Sequence, residues 1–270
     1  MTPATPDPAA TVILVRDGPV SPEVLMLERH ARSEFLPDMY VFPGGRVEDS
    51  DAALADRVRG LPAGGAAELV TTVQPEQALS FIVAAIRETY EESGILLASR
   101  RGSDELIDAA HADELHQHRL DVQGGATPFR SLIEAEDLLL AADGLAVHGH
   151  WITPEMVKRR YDTLFFSALA PAGQRATHDG IESTNHVWTR PEDALHEATQ
   201  GTRQIIFPTA CVLDTLCGFD SAAAVLAASH ARKVVPVLPV PTERDGKPSI
   251  AIPEDAGYPR TFELLRSRTS

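Results

Sequence analysis

The sequence predicts a mixed α+β fold in which strands and helices alternate within one large domain. Two apolar runs near the start, Thr11 to Arg16 and Glu23 to Arg29, have the composition of strands and flank a turn that contains Gly and Pro. A helix is predicted over Pro75 to Ser93, where apolar residues recur every three or four positions. Further strands are predicted at Asp162 to Ala170 and Ser183 to Trp188, so strands precede and follow the helix in the chain.

The remaining elements follow from shorter signals. Gly44 and Gly45 follow a short apolar strand and permit a backbone path that other residues resist. Gly94 stands where a left-handed residue would end the long helix. Leu138 is assigned to an amphipathic helix, and His148 to Trp151 is interpreted as a loop. The other predicted elements are strands at Met39 to Phe42 and Ile95 to Ala98 and helices at Pro191 to Thr199, Pro208 to Leu216 and Ser221 to His230.

Composition divides the chain into regions. Residues 1–10, rich in Pro, Ala and Thr, are predicted to be disordered, and residues 11–233 are predicted to form the domain. Within it, the Ala/Gly-rich residues 52–74 and the helical residues 103–145 are interpreted as insertions. Residues 234–270 contain many prolines and are predicted to form an extended C-terminal segment packed on the domain.

Composition also limits the class of function. The chain has 270 residues and a formal net charge of −15, so its surface repels nucleic acid and anionic membranes. A phosphate-bearing small molecule would need local arginines or a divalent cation at its binding site. No apolar run approaches the roughly 18–20 residues of a membrane span, and no signal peptide or Ser-Lys-Leu address is recognisable, so a cytoplasmic protein is expected. Cys211 and Cys217 are interpreted as buried thiols.

The most informative segment lies at the end of the long helix. Glu88, Glu91 and Glu92 fall within about 100° of one another around the helix axis. Like charges at this spacing repel, and the helix dipole disfavours anions in the last turn. A hard cation such as Mg²⁺ would relieve both penalties because it takes oxygen ligands. The alternative is a solvated acidic face, but the flanking Arg87 and Gly94 favour a site.

The segment from Arg87 to Ile95, RETYEESGI, resembles the second half of the Nudix signature, with Thr89 in a place that is normally apolar. Gly45 and Asp51 resemble the first half, with Asp in place of the usual Glu. Between the halves stand 35 residues, 52–86, where the family normally has a short spacer. This split resembles the branch that contains the peroxisomal coenzyme A diphosphatase of animals. Other similar segments are FLPDMYVFPGG at 35–45, WITP at 151–154, RRYDTLFF at 159–166 and FPT at 207–209.

The resemblance implies a Nudix α/β/α sandwich with a mixed central sheet, elaborated by the helical insertions. It also implies hydrolysis of a diphosphate with Mg²⁺ or Mn²⁺ as the cofactor. Glu91 and Glu92 would be metal ligands, and Glu88 a ligand or the general base. Arg87 would fix a neighbouring carboxylate such as Asp51. The backbone of Gly44 and Gly45 would face the metal or the phosphate.

Three further residues are weighed from the sequence itself. Glu182, which leads into a predicted strand, is a candidate fourth metal-binding carboxylate or else a solvated loop acid. Arg29 and Arg46 flank the segment that contains Gly44 and Gly45, which we call the glycine turn. These arginines would bind phosphate in bidentate fashion or else be surface arginines.

The substrate is the least determined part of the prediction. Coenzyme A or acyl-coenzyme A is the first expectation among nucleoside diphosphate derivatives. ADP-ribose, NADH, a dinucleoside polyphosphate, or a Nudix domain that binds without cleaving remain alternatives. The insertions and the C-terminal segment offer surfaces for a homodimer.

Overall fold

A mixed sheet forms the centre of the molecule, which a computed structural model describes over residues 4–33 and 36–265. In chain order the strands are β1 (Asp7–Asp17), β2 (Pro22–Arg29), β3 (Tyr40–Val41), β4 (Gly44–Arg46), β5 (Val58–Arg59), β6 (Ala98–Arg100), β7 (Leu138–Ala141), β8 (Leu145–Ile152), β9 (Tyr161–Leu169), β10 (Ser183–Thr189), β11 (Pro236–Val237), β12 (Val240–Arg244), β13 (Lys247–Ala251) and β14 (Phe262–Leu264). The helices are α1 (Ala66–Leu69), α2 (Ala78–Ser93), α3 (Ala109–His116), α4 (Arg119–Gln123), α5 (Phe129–Ala135), α6 (Pro191–Gln200), α7 (Phe207–Leu216) and α8 (Ala222–Ala231), with 3₁₀ segments at Asp51–Arg57 and Ala142–Gly144.

Strand β1 occupies the middle of the main sheet, whose order is β10-β2-β1-β9-β8-β11. It runs antiparallel to β2 and parallel to β9, and residues 7–15 pair with residues 161–169. Strand β4 pairs antiparallel with the first part of β1 and places Gly45 opposite Ala10. The glycine turn is therefore fixed to the centre of the sheet.

Helices cover both faces of this sheet. The side chains of β1 are therefore buried on both of its faces. Ala10, Val12 and Leu14 pack in the core that contains α2, whereas Ile13 and Val15 pack in the core that contains α7 and α8. A strand buried on both faces reads as a continuous apolar run, as this one does. The predicted α/β/α sandwich with a mixed sheet is confirmed.

The segments interpreted as insertions meet in a small second sheet. Strand β7 pairs with β5 on one side and with β6 on the other. The prediction that Leu138 is helical is wrong, because its backbone pairs with Arg100 of β6. Helical spacing of leucines did not distinguish a short buried strand from a helix.

Residues 7–10 correct the prediction of a disordered start, since they belong to β1. Asp7 N–H donates to the carbonyl of Arg160 at 2.9 Å, and neighbouring residues pair with β4 and β9. Distant strands supply hydrogen bonds that the local Pro- and Ala-rich composition does not indicate. Residues 1–3 lie outside the described residues.

The prediction of a loop at His148 to Trp151 is also wrong, because these residues belong to β8. The imidazole of His148 is buried, and its two nitrogens hydrogen-bond Ser229 at 2.9 Å and Thr215 at 2.8 Å. Burial lowers the pKa of His148 to about 3, so the ring is neutral. The second histidine, His150, contacts Asp162 of β9. Both polar side chains have partners that the sequence pattern did not show.

The start of the long helix and the position of the strand that follows it differ from prediction by a few residues. Helix α2 begins at Ala78 because residues 74–77 form a turn, closed by Gln77 N–H to the Gln74 carbonyl at 2.9 Å. The strand that follows α2 is Ala98–Arg100 instead of Ile95 to Ala98. Differences of this size are normal at element ends.

The C-terminal segment packs on the domain through a strand pairing, hydrogen bonds and an ion pair. Strand β11 pairs with β8, Trp151 Nε1 donates to Tyr258 Oη at 2.9 Å, and Arg260 forms an ion pair with Asp214 at 2.7 Å. Strands β12, β13 and β14 form a separate sheet, and residues 266–270 lie outside the described residues. No helix in the described part of the chain is long and apolar enough to cross a membrane.

Candidate active site

The carboxylates lie in the last turns of α2, directly over the glycine turn. Gly94 ends the helix with φ of 74°, and its N–H donates to the Tyr90 carbonyl at 2.8 Å. A side chain at this left-handed position would be strained, which explains the glycine. Glu91 and Glu92 are 9% and 4% exposed, so the acidic face is not a solvated surface.

Arg87 joins the two halves of the split motif. Its Nε and Nη2 atoms donate to the two carboxylate oxygens of Asp51 at 2.8 and 3.0 Å, and Nη2 also donates to the Arg46 carbonyl at 2.8 Å. Asp51 is 1% exposed and accepts a further bond from Glu48 N–H at 2.8 Å. The two halves of the motif therefore contact each other, although 35 residues separate them in the chain. Arg87 is placed as the resemblance implies.

Each glycine of the turn faces one carboxylate of α2. Gly44 N–H donates to Glu92 Oε2 at 2.9 Å. A Cβ on Gly45 would lie 2.5 Å from Glu88 Cδ, so only glycine admits the Glu88 carboxylate in its present place. A Cβ on Gly44 would meet the Ala10 carbonyl at 2.4 Å. The close fit makes this turn the floor of the site.

Burial and mutual repulsion govern the charges in this cluster. Burial raises the pKa of Glu88 to about 8, against the opposing charge of Arg87 and together with the charge of Glu91. Burial also raises the pKa values of Glu91 and Glu92, with Glu88 adding to the effect on Glu92. For Arg87, burial alone would lower the pKa, but Asp51 and the glutamates raise it. The cluster therefore contains more carboxyl groups than one guanidinium can balance.

The cluster opens into a cleft of about 760 Å³. Basic side chains and an apolar surface line the same cleft, which suits a ligand with both phosphate and organic parts. Phe165 faces the cleft, whereas Phe166 lies fully in the core. The predicted site residues that line it are Arg29, Gly44, Gly45, Arg46, Arg87, Glu88, Glu91 and Glu182. The apolar and aromatic lining includes Leu36, Val41, Phe42, Tyr161, Phe165 and Ile206.

Glu182 lies at the edge of the cleft beside the carboxylates. Its carbonyl accepts from His30 N–H at 2.8 Å, and it immediately precedes Ser183, which pairs with Arg29. After burial, its charge is among the causes that raise the pKa values of Glu88 and Glu92. The structure thus brings Glu182 to the carboxylate cluster.

The donor chemistry of the cluster fits a hard divalent cation. Glu88, Glu91, Glu92 and Glu182 supply carboxylate oxygens, which Mg²⁺ and Mn²⁺ prefer. In the described part of the chain, no group of three or more acidic, His or Cys side chains is already gathered to hold a metal ion. Arg87 Nη1 instead engages Glu88 at 2.8 Å and Glu91 at 3.3 Å.

Several residues of the cleft were not predicted from the sequence. Glu48 lines the cleft, and its charge, after burial and the opposing effects of Arg87, adds to the raised pKa of Glu91. Its place in the acidic run between Gly45 and Asp51 was an available signal. Arg159 lies in a segment that carried the family resemblance, whereas Gln123 lies in an insertion and had no recognisable signal.

Comparisons with known proteins agree with this geometry. Acyl-coenzyme A diphosphatase NUDT19 of Gallus gallus is 31% identical over 243 residues, which cover 76% of this chain and 63% of the relative. The protein of the same name from Xenopus laevis is 28% identical over 228 residues, which cover 73% and 60%. The chain thus spans about three-fifths of the length of these relatives.

A crystal structure of a NUDIX hydrolase from Alicyclobacillus acidocaldarius is similar in fold, with a TM-score of 0.67 and 26% identity, and the match covers 83% of this chain and 96% of that one. The family model described as the NUDT19 Nudix domain matches residues 66–210, more than half of the chain. Gly45 and Asp51 precede the matched residues, and the ion pair between Asp51 and Arg87 connects this earlier segment to the matched part of the chain. The chain belongs to the Nudix family represented by the NUDT19 Nudix domain.

Proposed function

We propose that this protein hydrolyses the diphosphate bond of a nucleoside diphosphate derivative with Mg²⁺ or Mn²⁺, and that coenzyme A or an acyl-coenzyme A is the substrate. The observation that carries the proposal is the Arg87–Asp51 ion pair, which holds the glycine turn against the glutamates at the floor of the cleft. The names of the Gallus gallus and Xenopus laevis relatives support the choice of substrate.

The residues of the cleft divide the work by their chemistry. A bound divalent cation would neutralise the diphosphate and lower the pKa of a water molecule. Glu91 and Glu92 would hold this cation. Glu182, which lines the same cleft, would complete the set of ligands, and Glu88 would bind the cation or accept a proton from the attacking water.

The basic residues of the lining would bind the phosphate oxygens that face away from the cation. Arg29 lies near enough to Glu92 that its charge acts on that carboxylate, and Arg46 borders the glycine turn. Guanidinium groups bind phosphate in bidentate fashion. The apolar wall around Phe165 and Ile206 would contact the organic part of the substrate.

Product analysis on a panel of diphosphates, with Mg²⁺ and with chelator, tests the proposal. We expect coenzyme A or its acyl derivatives to yield 3′,5′-ADP and a phosphopantetheine product only when Mg²⁺ is present. Preferred cleavage of ADP-ribose, NADH or a dinucleoside polyphosphate would replace the substrate assignment. Binding without turnover of any compound would contradict hydrolysis and indicate a ligand-binding domain.

Gly45→Ala tests whether turnover depends on the position of the Glu88 carboxylate, without unfolding the protein. The added Cβ would lie 2.5 Å from the end of the flexible Glu88 side chain, which can move aside at little cost to the fold. Because misplacement of a reacting group by about 1 Å can cost about 100-fold in rate, we expect a loss of turnover of up to that size.

Gly144→Ala is the matched control, since a Cβ there meets no atom within 4 Å. Turnover and the melting temperature would be measured for both variants. Full turnover by Gly45→Ala, with Gly144→Ala also active, would contradict a role for Glu88 in its present position.

A further inference from the structure

Helix α4, from the second predicted insertion, packs against the end of the carboxylate helix. Arg119 at its start is 2% exposed, and its Nε donates to the Glu91 carbonyl at 2.7 Å. Glu91 belongs to the last turn of α2, where backbone carbonyls have no partner within the helix. A cation at this end also interacts favourably with the helix dipole, because the C-terminus carries its negative partial charge.

The segment that follows β9 also contacts the C-terminal end of α2. Thr177 N–H donates to the Ser93 carbonyl at 2.9 Å, and Arg119 Nη1 donates to the Thr177 carbonyl and hydroxyl at 2.9 and 2.8 Å. Arg119 therefore holds the last turn of α2 and residue 177 together. Both carry backbone toward the cleft, one through Glu91 and the other through Glu182.

Gln123, at the other end of α4, reaches the loop that presents Glu182. Its Nε2 donates to Asp179 Oδ2 at 2.6 Å. The other oxygen, Asp179 Oδ1, accepts the N–H groups of Ile181, Glu182 and Ser183 at 2.8, 2.9 and 2.9 Å. One carboxylate thus shapes the turn at Glu182, and Gln123 fixes that carboxylate.

We infer that α4 is a positioning element, in which Arg119 and Gln123 hold the glutamate turn of α2 and the Glu182 loop at a fixed distance for the divalent cation. The inference rests on the proposed function in assigning a cation to these glutamates. It adds a role for an insertion that lies outside the Nudix motif, and it explains how Glu92 and Glu182, 90 residues apart in the chain, are kept together.

The burial of Arg119 argues against simple space filling. A buried guanidinium loses its hydration, and an apolar side chain of similar size fills a core at lower cost. Arg119 Nη2 is buried without a hydrogen-bond partner among the described residues, so the position is not optimised for stability alone. Burial lowers the pKa of Arg119, and the charges of Asp179 and Glu92, one from each acidic segment, oppose that effect.

Hydrogen exchange on the full chain gives a first test that needs no turnover. In Gln123→Ala we expect the amides of residues 181–183 to exchange faster, because the carboxylate that accepts them loses its anchor. Asp121→Ala is the matched control, since Asp121 is exposed on the same short helix. Unchanged exchange in Gln123→Ala would overturn the inference.

Binding of Mn²⁺, followed by the electron paramagnetic resonance signal of the free ion, gives the second test. Residues that support metal ligands typically change metal affinity by 10–100-fold, so we expect at least about a tenfold loss in Gln123→Ala and Arg119→Met and none in Asp121→Ala. Arg119→Lys keeps the charge but not the forked donors, and we expect an intermediate loss. This variant also preserves the test if Arg119→Met does not fold.

The two proposals fail in distinguishable ways. If no diphosphate is hydrolysed but Mn²⁺ binding and exchange respond as expected, the proposed reaction is wrong and the positioning role stands. If hydrolysis is normal and Gln123→Ala binds Mn²⁺ like the unsubstituted protein, the positioning role is wrong and the reaction stands.

Discussion

Glu92→Gln is expected to lower cation-dependent turnover by more than about 100-fold while the chain remains folded. Changes to residues that only support metal ligands already cost 10–100-fold, so loss of a ligand charge should cost more. The amide oxygen of Gln can still accept the Gly44 N–H that Glu92 accepts at 2.9 Å. The substitution therefore removes charge and keeps the contact with the glycine turn.

The melting temperature distinguishes this loss from unfolding. In chelator we expect Glu92→Gln to melt at or above the temperature of the unsubstituted protein, because a buried, repelled carboxylate has been removed. Added Mg²⁺ should stabilise the unsubstituted protein more than the variant. Glu76→Gln, an exposed acid just before α2, is the matched control. Turnover in Glu92→Gln equal to that of the control would contradict the ligand role, and Glu91→Gln is judged by the same criterion.

Arg87→Met is expected to cost about 3–5 kcal/mol in free energy of unfolding, because it leaves Asp51 buried and unpaired. For a domain of this size the melting temperature should fall by roughly 6–20 °C. Turnover should also be lost below the melting transition, since Arg87 ties the Arg46 carbonyl and Asp51 to α2. Chemical denaturation and calorimetry measure the first effect.

Removing both charges separates structure from chemistry. We expect Arg87→Met with Asp51→Leu to recover part of the stability, because no buried charge is left unpaired, but not the turnover. Arg101→Met removes an exposed arginine paired with Asp137 and should change stability little. If Arg87→Met were as stable as Arg101→Met, the buried ion pair would not hold the two halves of the motif together.

Local patterns predicted the parts of the site that lie on one element. Glu88, Glu91 and Glu92 share a helix face through spacing alone, and Gly94 ends that helix as its position indicated. The contact between Arg87 and Asp51 came from the family resemblance, because spacing cannot show which distant acid a buried arginine meets. The cleft residue Glu48 was overlooked although its acidic neighbourhood was visible.

The parts that were mispredicted depend on contacts between distant segments. Leu138 and His148 adopt strands because β7 and β8 find partners elsewhere in the chain, and tertiary pairing overrides local propensity. Arg119 and Gln123 gave no sequence signal at all, since a polar residue on a short inserted helix resembles any solvated one. Their partners lie in α2 and around residue 179, and only the folded chain brings these together.

The central place of β1 has a consequence for how the protein is made. Asp7 pairs with Tyr161, which a ribosome adds 154 residues later. At roughly 5–20 residues per second, the first strand waits about 8–30 s for the neighbour that completes the middle of the sheet. During that time β1 has only its antiparallel neighbours β2 and β4 within the sheet, so the newly synthesised chain exposes an apolar strand edge until its second half emerges. Synthesis of this protein should therefore depend more on chaperones than its stability once folded would indicate.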